Sequence, residues 1–159
     1  MEAMRRVSVK QRGPQTIEDL FHAEYNGMVR LAYTLVNNNA EAEEIVQDSF
    51  AEVHRRFDEL RQPGAYLRTT VVLRCRSLLR RRRVMERHAP EPLEQLPASA
   101  CELWDVLNKL DEDQRVAVVL RYLGQYRASE IAEIMDMPAA TVRSHVRRGL
   151  AILRKELEQ

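Results

Sequence analysis

Apolar residues recur along this chain at helical rather than alternating spacing, and the breaks between the runs set its organisation. From Thr16, residues Ile17, Leu20, Met28, Leu31, Leu35 and Val36 follow helical spacing, and the run Asn37-Asn38-Asn39 ends the stripe, since asparagine suits turns and caps. Val46, Phe50, Val53, Phe57 and Leu60 recur every three or four residues and predict a second helix. Arg61-Gln62-Pro63-Gly64 breaks it, because proline and glycine both oppose helix continuation. A third helix is predicted from about Ala65 to Arg87. It carries Leu67, Val71, Cys75 and Leu78 on one face, with Arg68, Arg76, Arg80 and Arg83 roughly opposite.

Three prolines and no helical stripe mark the stretch that follows as an extended linker. Beyond it, Leu103, Val106, Leu107 and Leu110 predict a fourth helix. Val116, Val119, Leu120 and Leu123 predict a fifth, stopped by Gly124. A short helix over 128–135, a turn at Asp136-Met137 and a last helix with Pro138 in its first position, running to about Leu157, complete the pattern. The expected fold is all-α: two small helical bundles joined by a flexible proline-containing linker, the second containing a helix-turn-helix. The expected division is a mobile basic tail over 1–13, a first bundle over 14–87, the linker over 88–100 and a second bundle over 101–159. Met4 is an alternative start for the tail.

Charge sharpens this picture. The formal net charge is +1, yet residues 40–59 hold seven acids against two arginines, and residues 74–88 hold seven arginines against one glutamate. Segregated charge of this kind says more about partners than the net value does. Two cysteines cannot build a disulfide framework or a four-ligand zinc site, and Cys75 lies on the packing face of its helix. The four histidines are scattered without ligand spacing. No glycine-rich phosphate loop, nucleophile elbow or convergent carboxylate pair is present, so catalysis has no candidate and no metal or cofactor is expected. No apolar run approaches a membrane span, which makes a cytoplasmic protein without membrane insertion the expectation.

Three segments carry candidate chemistry. The helix containing Glu130-Ile131-Ala132, the tight turn and the basic last helix form a helix-turn-helix pattern, whose second helix enters the major groove. On it Arg143, Ser144, Arg147 and Arg148 offer donors to bases and phosphates, while Val142, Val146, Leu150 and Leu153 supply the buried stripe. The run Arg80 to Arg83, with Arg74, Arg76 and Arg87 nearby, suits a phosphate backbone. Glu41, Glu43, Glu44, Asp48 and Glu52 make an acidic face on the second helix. That face reads equally as a solvated helix whose early acids complement the positive helix end or as a docking face for a protein.

These residues carry a family resemblance. "EAEEIVQDSFAEVHRRF" (41–57) looks like the acidic region-2 helix of extracytoplasmic-function, group IV, sigma factors of the sigma-70 superfamily. "PGAYLRTTVVLRCRSLLRRRR" (63–83) resembles their promoter-opening and promoter-reading helix, and residues 110–157 resemble region 4 almost throughout. The resemblance implies a non-enzymatic subunit that takes core RNA polymerase to promoters, with double-stranded and melted promoter DNA as partner and an anti-sigma factor as a further one. It implies polymerase docking through Glu44, Gln47 and Asp48. It also implies −10 contacts from Arg61, Gln62, Pro63, Gly64, Tyr66, Arg68 and the Arg76, Arg80 and Arg83 face, and −35 contacts from Arg143, Ser144, Arg147 and Arg148. Leu73 stands where many members carry asparagine, Tyr66 where tryptophan is common, Arg127 for a serine-type cap and Asp136 for a frequent turn glycine. A stand-alone helix-turn-helix regulator and a purely helical adaptor are the alternatives. No heptad-bearing dimerisation helix supports the regulator, and the adaptor leaves two separate basic surfaces unexplained.

Overall fold

The computed structural model describes residues 16–88 and 102–158, so the expected tail and linker lie outside the described residues, apart from His88, which is the last residue of α3 and not part of a linker. Every regular element among the described residues is helical: α1 (Ile17–Val36), α2 (Asn39–Arg56), α3 (Pro63–His88), α4 (Glu102–Leu107), α5 (Glu112–Tyr122), α6 (Ala128–Met135) and α7 (Ala139–Leu157), with a single 3-10 turn over Phe57–Glu59.

The asparagine run works as two caps in tandem. Asn37 takes the left-handed conformation (φ 51, ψ 37) after α1, and the Asn38 side chain accepts the Glu41 N–H at 3.0 Å to start α2. Phe57 and Leu60 lie beyond the end of α2, because the helix tightens into the 3-10 turn at Phe57, yet both stay packed against the core. Pro63 begins α3 rather than preceding it, a position where its missing N–H costs nothing. The core face of α3 runs through Leu67, Val71, Val72, Cys75 and Leu79, so Leu79 and not Leu78 is the buried leucine. Leu78 is half-buried at the margin.

In the second bundle Asp111 and Gln114 form a capping box at the start of α5, with bonds of 2.7 and 3.3 Å. Gly124 follows α5 as expected, but the left-handed residue there is Gln125 (φ 57). The glycine is required for space: a Cβ would sit 2.6 Å from the Tyr126 ring and 2.9 Å from the Leu120 carbonyl oxygen. The helix-turn-helix turn is made by Asp136 (φ 51, ψ 54), whose N–H reaches back to Glu133. Pro138 caps α7 from one residue outside it, in extended conformation, instead of filling its first position. At α6 the Glu130 carboxylate accepts the Arg127 N–H at 2.7 Å, the glutamate half of a capping box, so the missing serine-type cap is made good from the other side. Gly149 brings α7 onto α5, since a Cβ there would meet Val118 Cγ2 at 2.7 Å.

The two bundles also pack on one another. Their buried apolar residues form one continuous cluster. Tyr33 of α1 meets Trp104 of α4 edge-on, with centroids 5.1 Å apart at 73°, and α3 lies against α5 and α6. The helical period of each segment says nothing about this seam, which joins positions far apart in sequence.

Candidate nucleic-acid interface

The last helix presents its expected face. Arg143, Arg147 and Arg148 are exposed and Ser144 is half-buried, while Val142 is fully buried against the bundle. Among the described residues none of these three arginines enters an ion pair or a side-chain hydrogen bond. Arg143 and Arg147, with Arg121 and Arg154, rim a shallow groove of about 260 Å³ floored by Val142, Val146 and Leu150. Free guanidiniums on a rigid helix are poised for guanine edges and phosphate oxygens. The rigidity comes from Ile131, Met135 and Val142, all buried between α6 and α7.

The expected −10 residues do not form one surface. Arg61 and Gln62 are exposed in the turn before α3, and Gly64 sits half-buried beside Leu20 and Arg68. Tyr66 turns towards α2: its hydroxyl donates to Glu52 at 2.5 Å and accepts from Arg56 at 2.8 Å, and the Arg56 guanidinium covers its ring at 5.2 Å. Arg68 faces α1 and bonds Glu24 at 3.2 Å. Arg76, Arg80 and Arg83 face the second bundle, where Arg76 Nε donates to Asp113 at 2.7 Å and Arg83 Nη1 donates to Glu112 at 2.7 Å. Arg80 Nε lies 3.8 Å from Glu112. Leu73 is exposed on the same helix.

The acidic face of α2 divides in two. Glu44, Gln47 and Asp48 point outward and are exposed, Asp48 lying 3.8 Å from Arg74. Glu41 and Glu52 instead tie α2 to α3, Glu41 to Arg82 and Glu52 to Arg74 at 2.9 Å. The hydrogen bond from Tyr66, then that from Arg74, holds the Glu52 carboxyl below the ordinary range, and the same bond to Glu52 pushes the Tyr66 hydroxyl up. Charge counting alone groups Glu52 with its exposed neighbours. Glu52 stands eleven residues from Glu41, about three helical turns on and so nearly in line with it, and this spacing groups the two acids that reach α3.

Cys75 is fully buried, and burial pushes its thiol up to about 12. Among the described residues no cluster of His, Cys, Asp and Glu could hold a metal ion, and no helix is long and apolar enough to cross a membrane.

Comparison with known proteins places both bundles. A family model described as sigma-70 region 2 matches residues 20–84, and one described as sigma-70, region 4 matches residues 102–153. The chain is 32% identical to an RNA polymerase sigma-E factor of Streptomyces avermitilis over 89% of its own length and 84% of that protein. It is 33% identical to the sigma-E factor of Streptomyces coelicolor, over 88% and 85%. With the extracytoplasmic-function sigma factor SigW of Bacillus subtilis it shares 26% over 99% of this chain and 98% of the other. Its fold matches that of the sigma factor RpoE from Bartonella quintana, solved in complex with the anti-sigma factor NepR, with a TM-score of 0.70 over 89% of this chain and 96% of that one, at 22% identity. Two helical bundles in the right order, a helix-turn-helix with an uncompensated arginine face, and relatives matched nearly end to end agree: the chain belongs to the sigma-70 family of RNA polymerase sigma factors, in its extracytoplasmic-function group.

Proposed function

We propose that this sigma factor docks on core RNA polymerase through Glu44, Gln47 and Asp48 and reads promoters with two separate arginine faces, α3 for the −10 element and α7 for the −35 element. Residues 14–87 then act as region 2 and residues 101–159 as region 4, with the stretch between them as the connection. The observation that carries the reading is the exposed row of Arg143, Arg147 and Arg148 on a helix-turn-helix, without acidic partners among the described residues, in the same chain as a second arginine-rich helix. A stand-alone regulator would use only the former. The outward acids of α2 repel DNA and leave that surface to a protein.

The turn at Arg61 and Gln62 is exposed and next to Tyr66, which suits capture of a base displaced from the melted −10 element. The Arg56 guanidinium covers one face of the Tyr66 ring, so a base that stacks on that face displaces it. An anti-sigma factor is a further partner by analogy with the complexed relative. The site of action is the cytoplasm, where polymerase and promoter are. The test is a pull-down with core polymerase followed by run-off transcription from a promoter library. Retention by core and transcripts from a shared −10/−35 pattern support the reading, whereas sequence-specific DNA binding without any association with core returns the stand-alone regulator.

A further inference from the structure

We infer that the cleft between the two bundles is a binding site for a small phosphate-bearing anion, held by Arg115 of α5 and Lys109 ahead of it on one side and by Arg82 of α3 on the other. The cleft has a volume of about 630 Å³, and all three cations line it together with Arg83. A volume of this size lies within the range of small-molecule sites. Its walls come from the α1–α2 link, α3 and the start of α5, which are far apart in sequence. The site needs none of the promoter contacts assigned above.

The lining cations differ in what engages them. Arg82 donates to the Val36 carbonyl at 2.5 Å and pairs with Glu41. Lys109 pairs with Glu156, and Arg83 with Glu112 at 2.7 Å. Arg115 enters no ion pair among the described residues. Its hydrogen bond there is a long one, 3.5 Å to the Leu110 carbonyl, and its Nε is buried without a protein acceptor. A buried charged donor left unmet is costly. Burial, and then repulsion from Arg82, push the Arg115 guanidinium down, and the attraction of Glu112 and Glu86 does not offset them. The acids of the cleft have other tasks: Asp111 caps α5 by accepting the Gln114 N–H at 2.7 Å, Glu112 holds Arg83, and Glu86 is exposed.

Phosphate oxygens suit this setting, because they accept forked, charge-assisted bonds from guanidiniums, and Lys109 adds a point charge. Among the described residues no aromatic side chain lines the cleft, so nothing there selects a base by stacking. The amides of Asn38 and Asn108 line it instead and offer uncharged donors and acceptors to hydroxyls. The ligand class is thus inorganic pyrophosphate or the phosphate ester of a small hydroxylated compound. Such a ligand touches both bundles, so its binding is linked to their pairing.

The experiment titrates inorganic pyrophosphate into the full chain by calorimetry, in metal-free buffer at fixed salt, with the thermal midpoint read alongside. The expected result is saturable binding of one anion per chain and a raised midpoint, since a ligand of the folded form stabilises it. Arg115→Gln should weaken binding by about tenfold or more, the loss of one charge-assisted contact. Arg55→Gln removes an exposed charge from α2, away from the cleft, and should leave binding unchanged. Asn108→Asp brings a carboxylate into the cleft and should expel the anion with helical circular dichroism unchanged. That variant decides the outcome if Arg115→Gln does not fold. Displacement of pyrophosphate by ribose 5-phosphate supports a site for phosphate esters, and failure to displace it supports one confined to the inorganic anion. Heats that do not saturate, or equal weakening by Arg115→Gln and Arg55→Gln, would overturn the site. Unimpaired binding by Asn108→Asp would overturn it as well.

Discussion

Arg143 and Arg147 on α7 and Arg76 and Arg83 on α3 are the same residue on the same kind of amphipathic helix, yet they stand in opposite states. The α7 pair is exposed and, among the described residues, free of acids. The α3 pair is engaged with Asp113 and Glu112 of the other bundle. Both helices are equally basic to the eye, and only packing separates a ready surface from an occupied one. Readiness for DNA in the free protein is thus set by uncompensated charge, and compensation by whichever element the fold lays alongside.

The sharpest break in that comparison concerns α7. Arg143→Ala and Arg147→Ala should each cost about 1–3 kcal/mol in −35 binding by the holoenzyme and relax specificity at the position contacted. The thermal midpoint of the free protein should not move, because these side chains hold nothing in place. Wild-type promoter preference in both variants would show that α7 presents another face to DNA.

On α2, reversing Glu44 and Asp48 to lysine should weaken competition for core polymerase by roughly tenfold, about 1.4 kcal/mol, with helical circular dichroism unchanged. The same change at Glu52 should also loosen Tyr66 and Arg74, since Glu52 is bonded to both. Undiminished competition by the first variant would remove α2 as the docking face.

Arg76→Ala is the α3 counterpart of the α7 variants, and here the free protein should respond. Side chains of Arg76 and Asp113 are 18% and 27% exposed, so solvent screening limits the loss to about 1 kcal/mol of stability by urea titration. Equal stability of Arg76→Ala and Arg143→Ala would erase the distinction between the two faces.

Acid provides the mildest probe. Glu112 is depressed below the ordinary glutamate value of 4.5, so its contribution to the seam is whole above that value. It is lost as pH falls through the lower, folded one. Trp104 emission should therefore shift red on acidification below about 4.5, and Glu112→Gln should flatten that part of the profile. A shift centred near neutrality would point to a histidine instead.

Much of this architecture is legible in the chain because its causes are local. Helical stripes, the Asn37-Asn38 caps, the Asp136 turn and the basic face of α7 each depend on residues within a few positions of one another. Local reading fails where contacts are remote. Glu112 and Asp113 look like ordinary first-turn acids complementing a helix dipole, and nothing nearby announces their second use on α3. The helical pattern sets Arg76 and Arg83 opposite the core of α3, which is right for the first bundle alone. The second bundle then covers the face they occupy. Leu79 replaces Leu78 in the core because α3 meets α1 and α2 on a slightly rotated stripe, a shift that a single-helix pattern cannot resolve.

The central claim is that two arginine faces act as one bipartite promoter reader only when polymerase holds them. Anisotropy titrations of one promoter duplex at matched salt, with and without core polymerase and with either the −10 or the −35 element scrambled, measure this directly. The account predicts weak, nearly sequence-independent binding by the free protein, and tight binding with core that is lost on scrambling either element. Nanomolar, sequence-specific binding by the free protein, unchanged by core, would contradict it.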